Sequence, residues 1–203
     1  MPNRTPTPSG DAACAGPRPT HRGAITVIEG CMFAGKTTTL FRRLGDHPPQ
    51  VVLAFKHAID RRYRPEAIVS HGGKSFPAVV IGSAEEIFAR LGPQVRVVAV
   101  DEGHFFDEAL IEVTNAIAAR GLDVFVTTLD RDSWGRPFPV AERLRAAANH
   151  PVRLTAVCAR CGAVGDRTQR LTPIVGGDLV GGPESYEPRC RLCWSPPPET
   201  PPH

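Results

Sequence analysis

The segment at residues 30–37 constrains this chain more than any other feature, because it reads G-C-M-F-A-G-K-T and directly follows an apolar run at residues 24–28. A Gly-x4-Gly-Lys-Thr loop binds phosphate where a buried strand passes into a helix. Its backbone N–H groups surround the phosphates, together with the positive end of the helix dipole. We therefore predict a site for a nucleoside triphosphate, in which Lys36 reaches the β- and γ-phosphates and the Thr37 hydroxyl ligates magnesium. The loop residues are Gly30, Cys31, Met32, Phe33, Ala34, Gly35, Lys36 and Thr37.

Proline marks both ends of the chain. Of the 21 prolines, ten lie within residues 1–20 or 195–203, and these ends carry too few apolar residues to order themselves. We predict disordered tails at residues 1–22 and 195–203. Between them we expect a P-loop α/β domain at residues 23–150 and a smaller domain at residues 151–194, a span long enough to bury a core.

Charge and hydropathy exclude several classes of partner. The formal net charge is +3, and the basic residues are scattered rather than gathered into a nucleic-acid-binding patch. We find no stretch of membrane-spanning length and no apolar secretory segment at the N-terminus. We therefore expect a soluble cytoplasmic protein without nucleic-acid or membrane partners. Reducing conditions there disfavour disulfides, so the six cysteines need another explanation.

Short β-branched runs alternate with stretches of helical character. Near-continuous hydrophobicity suits strands that are covered on both faces, as in parallel sheets. Ser83 and Glu86 predict a capping box, and Gly121 predicts a helix end. The alternation favours a doubly wound, mostly parallel α/β sheet whose ligands bind beyond the carboxyl ends of the strands. We predict strands at residues 24–28, 51–55, 78–81, 95–100 and 122–129, and helices at residues 37–45, 83–91 and 108–120.

Two Cys-x2-Cys pairs flank residues 162–189. Each pair places two thiolates on a tight turn, and two such turns close a tetrahedral four-sulfur zinc site. Because a closed four-cysteine site has no open coordination position, we predict a structural rather than a catalytic metal. The segment between the pairs is then expected to project as a loop. The ligands are Cys158, Cys161, Cys190 and Cys193.

Two acidic residues directly follow the fourth predicted strand, where a P-loop protein keeps its magnesium-binding acid. Asp101 is expected to hold the metal opposite Thr37, while Glu102 can act as a base. In a kinase such a glutamate takes a proton from the acceptor hydroxyl, whereas in an ATPase it orients water. The acidic pair alone leaves both reactions open.

Residues 57–77 are polar and broken by two glycines, which favours a loop or lid over the site rather than another sheet element. An arginine on this lid could neutralise charge on a transferring phosphoryl group. A solvated surface cluster is the alternative. The residues concerned are Asp60, Arg61 and Arg62.

Together these motifs resemble the zinc-containing thymidine kinases. The family loop, close to G-P-M-F-S-G-K-T, corresponds to residues 30–37, and the family's D-E-[AG]-Q-F-F corresponds to residues 101–106. The resemblance extends over residues 23–194. Further matches are Lys56, Asp60, Arg62 and Tyr63, then Leu129, Asp130, Pro137 and Phe138, and residues 154–158, 167–171 and 186–190.

The resemblance implies transfer of the ATP γ-phosphoryl group to the 5′-hydroxyl of thymidine, and of deoxyuridine, with Glu102 as the base. It implies ATP with Mg²⁺, a structural Zn²⁺, and a homo-oligomer, namely a tetramer. The segment between the cysteine pairs would form a lasso over the nucleoside. Implied nucleotide-binding residues beyond the loop are Asp60, Arg61, Arg62, Asp101, Gly103 and His104. Implied nucleoside-binding residues are Met32, Leu129, Ser133, Phe138, Thr168, Gly177, Asp178, Leu179, Val180, Gly181 and Tyr186.

The chain departs from the family pattern at three places. His104 replaces a glutamine, which keeps polarity but makes the charge state sensitive to pH. Ser133 stands where the family has an aromatic residue against the nucleoside, with Trp134 adjacent. The lasso at residues 171–186 is short and rich in glycine. From the last two changes we expect looser base selectivity or a higher Michaelis constant for thymidine.

Three other functions remain open at this level. A P-loop ATPase would use Glu102 to activate water, but it leaves the long gap between the cysteine pairs unexplained. A zinc-ribbon nucleic-acid binder would call for a basic patch with exposed aromatic residues. A catalytically inactive relative would keep the phosphate loop and lose the nucleoside pocket at Ser133.

Overall fold

The computed structural model describes residues 22–60, 66–70, 72–173 and 180–198. The helices are α1 (Lys36–Leu44), α2 (Ala109–Ala119) and α3 (Pro139–Ala147), and 3-10 helices occupy Pro49–Val51, Ala84–Arg90 and Gly103–Phe105. The strands are β1 (Ile25–Gly30), β2 (Val52–His57), β3 (Ala67–Val69), β4 (Ser75–Pro77), β5 (Val79–Ile81), β6 (Val97–Asp101), β7 (Asp123–Thr128), β8 (His150–Leu154), β9 (Ala156–Val157), β10 (Val164–Gly165), β11 (Arg167–Arg170) and β12 (Tyr186–Arg189). Most of both predicted tails lies outside the described residues.

Six strands form the central sheet in the order β5-β2-β6-β7-β1-β8, and every neighbouring pair is parallel. This confirms the predicted parallel α/β sheet. In this order β7 lies between β6 and β1, so the carboxyl end of β7 separates the acidic pair from the phosphate loop. The edge strand β8 continues to Leu154. The central sheet therefore extends four residues beyond the predicted domain boundary at residue 150.

Helices and strands bury apolar side chains on both faces of the sheet, as the doubly wound arrangement requires. On one face, α2 and α3 contribute Leu110, Ile117 and Leu144 to the larger core cluster. On the other face, Leu40 of α1 packs with Phe125 of β7. The strands between the two clusters are buried from both sides, which explains their near-continuous hydrophobicity.

Two local predictions are confirmed, and a third needs correction. Ser83 and Glu86 form the capping box, and Gly121 follows α2 with a φ of 85° that favours glycine. The helix predicted at residues 83–91 is a 3-10 helix at Ala84–Arg90 rather than an α-helix. Helix α3 was not among the predicted elements. It begins at a proline in the first helical position, where the missing N–H costs nothing.

The segment predicted as a lid contains a β-hairpin, formed by antiparallel pairing of β3 with β4. Ile68 of this hairpin is buried in the same cluster as Leu40. The expectation that this segment holds no sheet element is therefore wrong, since part of it is a β-hairpin packed against the α1 face. Residues 61–65 and residue 71 lie outside the described residues.

Beyond the central sheet, two antiparallel hairpins, β9–β10 and β11–β12, carry the cysteine pairs. Ser195, assigned by prediction to the C-terminal tail, donates its N–H to Gln169 Oε1 at 2.9 Å. The folded part therefore continues past Trp194. Over the described part of the chain, no helix is both long and apolar enough to cross a membrane.

Candidate active site

The predicted phosphate loop joins β1 to α1, as its sequence requires. A Cβ on Gly30 would lie 2.4 Å from the carbonyl oxygen of Leu154, so β8 can approach the loop only because this residue is glycine. Gly35 has a φ of 82° and immediately precedes α1. Phe33 also has a positive φ, 63°, although it is not a glycine. Such backbone strain persists where the surrounding structure enforces it, which is common at functional sites.

Lys36 lies buried at the start of α1 and turns back over the loop. Its Nζ donates to the carbonyl oxygens of Cys31 at 2.8 Å and Gly30 at 3.1 Å. Burial lowers the pKa of Lys36, while the carboxylates of Glu102 and Asp101 act in the opposite direction. A phosphate would supply the charge partner that this poorly hydrated ammonium group favours.

The acidic pair is held by the neighbouring strand. Thr127, near the end of β7, donates its hydroxyl to Asp101 Oδ1 at 2.5 Å. The same hydroxyl oxygen accepts the backbone N–H of Glu102 at 3.0 Å. Glu102 has the left-handed conformation, with φ 53° and ψ 51°. Thr127 was not predicted as a site residue, because its two partners lie 25 and 26 positions earlier in the chain.

His104 contacts both the acidic pair and the region after β7. Its Nδ1 lies 3.5 Å from Glu102 Oε2 and accepts the backbone N–H of Leu129 at 3.3 Å. In this arrangement Nδ1 serves as the hydrogen-bond acceptor of the ring. The ring also packs against Phe138, with ring centroids 4.9 Å apart. His104 thus links the catalytic candidate to two predicted nucleoside-binding residues.

A cavity of about 330 Å³ brings the predicted phosphate-binding and acidic residues together. Lys36 and Thr37 line it together with Asp101 and Glu102. Carboxylate and hydroxyl oxygens are the ligands that magnesium prefers, so Asp101 and Thr37 fit this ion. The full lining comprises Met32, Phe33, Gly35, Lys36, Thr37, Thr38, Lys56, Asp60, Ile68, Val69, Gly72, Asp101, Glu102 and Gly182.

Of the predicted lid residues, Asp60 is buried and lies 3.8 Å from Lys56 Nζ, measured from its Oδ2. Arg61 and Arg62 lie outside the described residues. Gly103 packs beneath the site rather than lining the cavity, because a Cβ there would lie 2.8 Å from Val126 Cγ1. The Lys56–Asp60 pair places one positive and one negative group on the cavity wall.

The predicted nucleoside-binding residues are distributed around the site. Met32 lines the cavity, whereas Ser133, in the loop before α3, is buried and is not among the described residues that line it. The ring of Trp134 lies under the guanidinium of Arg136, 5.5 Å from its carbon. Tyr186 is buried, its hydroxyl 2.5 Å from Arg170. Val180 and Gly181 are described, with a Cβ on Gly181 falling 3.1 Å from Tyr186 Cε2, whereas Gly177, Asp178 and Leu179 lie outside the described residues.

The phosphate loop is attached to the cysteine-bearing hairpins. The backbone N–H of Met32 donates to Thr168 Oγ1 at 3.1 Å. Cys31 Sγ lies 3.5 Å from the carbonyl oxygen of Gly165, and burial raises the pKa of this thiol. Thr168 was predicted to bind the nucleoside; its hydroxyl supports the loop. These contacts were not predicted, because they join residues 134 and 136 positions apart in the chain.

The four predicted zinc ligands converge, with all Sγ atoms within 4.8 Å of one another. A tetrahedral site with Zn–S bonds of about 2.3 Å needs sulfurs about 3.8 Å apart, and Cys161 and Cys190 are 3.7 Å apart. Burial raises the pKa of Cys158, but backbone hydrogen bonds at Cys190 and Cys161 outweigh it and lower the pKa to about 6. Hydrogen bonds with Cys161 and Cys190 in turn raise the pKa of Cys193 to about 12. The fit to zinc therefore rests on the number and spacing of the four sulfurs.

A parallel sheet, a strand–loop–helix phosphate loop and paired acids at the end of β6 define a P-loop α/β protein, here joined to a cysteine-cluster lobe. A family model described as thymidine kinase matches residues 23–194. The chain therefore belongs to the thymidine kinase family. Membership supports assignment as a kinase, a transferase of phosphoryl groups.

Proposed function

We propose that this protein transfers the γ-phosphoryl group of ATP to the 5′-hydroxyl of thymidine, giving dTMP in pyrimidine deoxynucleotide salvage. Deoxyuridine would be a second acceptor. One observation carries the proposal: Glu102 lines the same cavity as Lys36 and Thr37. A carboxylate beside a phosphate loop is positioned to act on an acceptor hydroxyl.

Glu102 acts as the general base. An alcohol is a weak nucleophile, so the carboxylate matters most as the hydroxyl loses its proton in the transition state. The Glu102 side chain is 12% exposed, so it is largely shielded from water. Its carboxylate and the phosphate loop would hold the two reactants in line.

The loop side of the cavity stabilises the transferring phosphoryl group. Lys36 supplies a buried positive charge and the loop amides supply hydrogen-bond donors. Asp101 and Thr37 would hold Mg²⁺, whose charge neutralises phosphate oxygens when the ion is bound. In our proposal, Arg61 and Arg62 also neutralise charge on the transferring phosphoryl group.

The lobe with the four cysteines anchors the segment that would bind the nucleoside. Zinc bound by Cys158, Cys161, Cys190 and Cys193 would fix both ends of residues 162–189 and so limit their freedom. Main-chain groups at residues 177–181 would bind the pyrimidine edge.

The active protein would be a cytoplasmic homotetramer.

A second form of the proposal is that the enzyme discriminates only weakly among pyrimidine nucleosides. Ser133 is not among the described residues that line the cavity, and the Trp134 ring packs with Arg136. The described cavity lining therefore contains only Phe33 as an aromatic ring. Values of kcat/KM for thymidine, deoxyuridine and deoxycytidine test this point. Strict preference for thymidine at a low Michaelis constant contradicts relaxed selectivity.

The main test is phosphoryl transfer from ATP across a nucleoside panel, with Glu102→Gln and the exposed-site control Glu108→Gln. Wild type and the control should consume ATP only with a nucleoside present. Glu102→Gln should bind ATP normally and lose about 10²- to 10⁴-fold in kcat, the usual contribution of a general base. ATP consumption that ignores thymidine supports an ATPase instead. Near-normal turnover by Glu102→Gln removes Glu102 from its assigned role.

A further inference from the structure

Asp101 and Glu102 are consecutive residues, yet both line the same cavity. Consecutive residues of an extended strand point to opposite faces of a sheet. If β6 continued through Glu102, only one of the two carboxylates could face the phosphate loop. The left-handed conformation of Glu102 changes the chain direction directly after Asp101, and this turn brings both acids to one side.

The left-handed region is unfavourable for a glutamate, so neighbouring contacts must hold it. Thr127 supplies such a contact, because its oxygen accepts the Glu102 N–H at 3.0 Å. The accepting oxygen must direct its own hydrogen elsewhere, and that hydrogen goes to Asp101 Oδ1 at 2.5 Å. One hydroxyl therefore fixes the backbone of one acid and the side chain of the other.

We propose that Thr127 is a positioning residue for phosphoryl transfer, which holds Asp101 and Glu102 together in the orientation that the reaction needs. The proposal rests on the function proposed above. Only a side chain that both donates and accepts at this point can make both contacts. Valine matches threonine in shape but does neither, while serine keeps the hydroxyl without the methyl group.

The neighbouring Thr128 provides a matched control. It is also fully buried on β7, but its hydroxyl donates to the Leu129 carbonyl oxygen at 3.1 Å. Thr128→Val therefore removes a buried hydroxyl from the same strand without removing either contact to the acids. A loss of stability that both valine variants share is due to the removal of a buried hydroxyl from β7. A difference in activity between them is due to the lost contacts with Asp101 and Glu102.

The experiment compares Thr127→Val, Thr127→Ser and Thr128→Val as full-length, zinc-loaded protein. Activity is measured as thymidine-dependent ATP turnover. Thr127→Val should lose about 10- to 100-fold in kcat, as removal of a residue that orients a ligating or reacting group commonly does. Its KM for thymidine should change little, and Thr127→Ser should restore most of the loss. Thr128→Val should stay close to wild type.

A second readout needs no turnover. Amide hydrogen exchange of the ligand-free protein reports how firmly the Glu102 N–H is held. Thr127→Val should speed exchange at Glu102 at least about tenfold relative to both wild type and Thr128→Val, since one hydrogen-bond partner is lost. If Thr127→Val does not fold, Thr127→Ala and Thr127→Ser make the same comparison, because they differ only by the hydroxyl.

The outcomes separate the two proposals. Wild-type protein that phosphorylates no nucleoside overturns the proposed function, while exchange at Glu102 still decides whether Thr127 holds the acid. Unchanged exchange in Thr127→Val overturns the role of Thr127 even where kcat falls. Equal losses of kcat in Thr127→Val and Thr128→Val overturn it as well, as does a serine variant no better than valine.

Discussion

Replacing Arg145 with alanine should destabilise the protein far more than replacing Arg143, two positions earlier on the same helix. Arg145 of α3 reaches the buried carboxylate of Glu29, with Nη1 at 3.1 and 3.3 Å from its two oxygens. Glu29 is 1% exposed and directly precedes Gly30 of the phosphate loop. Arg143 instead pairs with Glu108, whose side chain is 58% exposed.

The two pairs differ in what remains after the arginine is removed. Removing one partner of a fully buried pair costs about 3–5 kcal/mol, because the other charge stays buried without compensation. The Arg145 side chain is 39% exposed, so water replaces it in part, and we expect about 2–3 kcal/mol for Arg145→Ala. An exposed pair contributes about 0–1 kcal/mol, so Arg143→Ala should change stability by that amount at most.

The assay is urea unfolding of zinc-loaded protein at pH 7, with the denaturant slopes compared to confirm that the same transition is measured. In a Glu29→Gln background the cost of Arg145→Ala should fall to about 1 kcal/mol or less, because no buried charge is left behind. Equal destabilisation by Arg145→Ala and Arg143→Ala refutes the reasoning. An undiminished cost in the Glu29→Gln background does so too.

Two further predictions concern the contact between the phosphate loop and the cysteine lobe. Thr168→Val removes the acceptor of the Met32 N–H, so the Kd for ATP measured by calorimetry should rise about fivefold, which corresponds to a loss of about 1 kcal/mol. The control Thr172→Val, at an exposed site, should leave the Kd for ATP unchanged. An unchanged Kd in Thr168→Val would mean that ATP binding by the loop does not depend on this hydrogen bond. Burial raises the pKa of Cys31, so little thiolate forms at pH 8, and iodoacetamide should label Cys31 far more slowly in folded than in urea-unfolded protein by peptide mass mapping. Equal labelling rates contradict the buried position of this thiol.

The sequence was sufficient for elements whose signal is local. The β-branched strands of the central sheet are buried on both faces, so their hydrophobicity is nearly continuous and easily recognised. The phosphate loop and the Cys-x2-Cys pairs are defined by spacing within a few residues. For these features the fold class and the convergence of the cysteines could be predicted before any coordinate was known.

Other elements lack such a signal. Edge strand β8 contains His150, Pro151 and Arg153 and is half exposed, so it resembles a loop in sequence; its proline lies on an edge strand, where the missing N–H is tolerated. The hydroxyls of Thr127 and Thr168 form their bonds with residues 25 or more positions away. Only the order of strands in the sheet brings those partners together.

The two strained residues of the site show why these long-range contacts matter. Among the described residues, Phe33 and Glu102 are the non-glycine positions with positive φ, and both line the cavity. Thr127 bonds the backbone of Glu102, and Thr168 bonds the residue before Phe33. In both cases a threonine hydroxyl from a neighbouring strand accepts a backbone N–H at or beside the strained position. The reactive geometry is therefore imposed from outside the two motifs, so either motif could keep its sequence and still lose its conformation if its threonine were replaced.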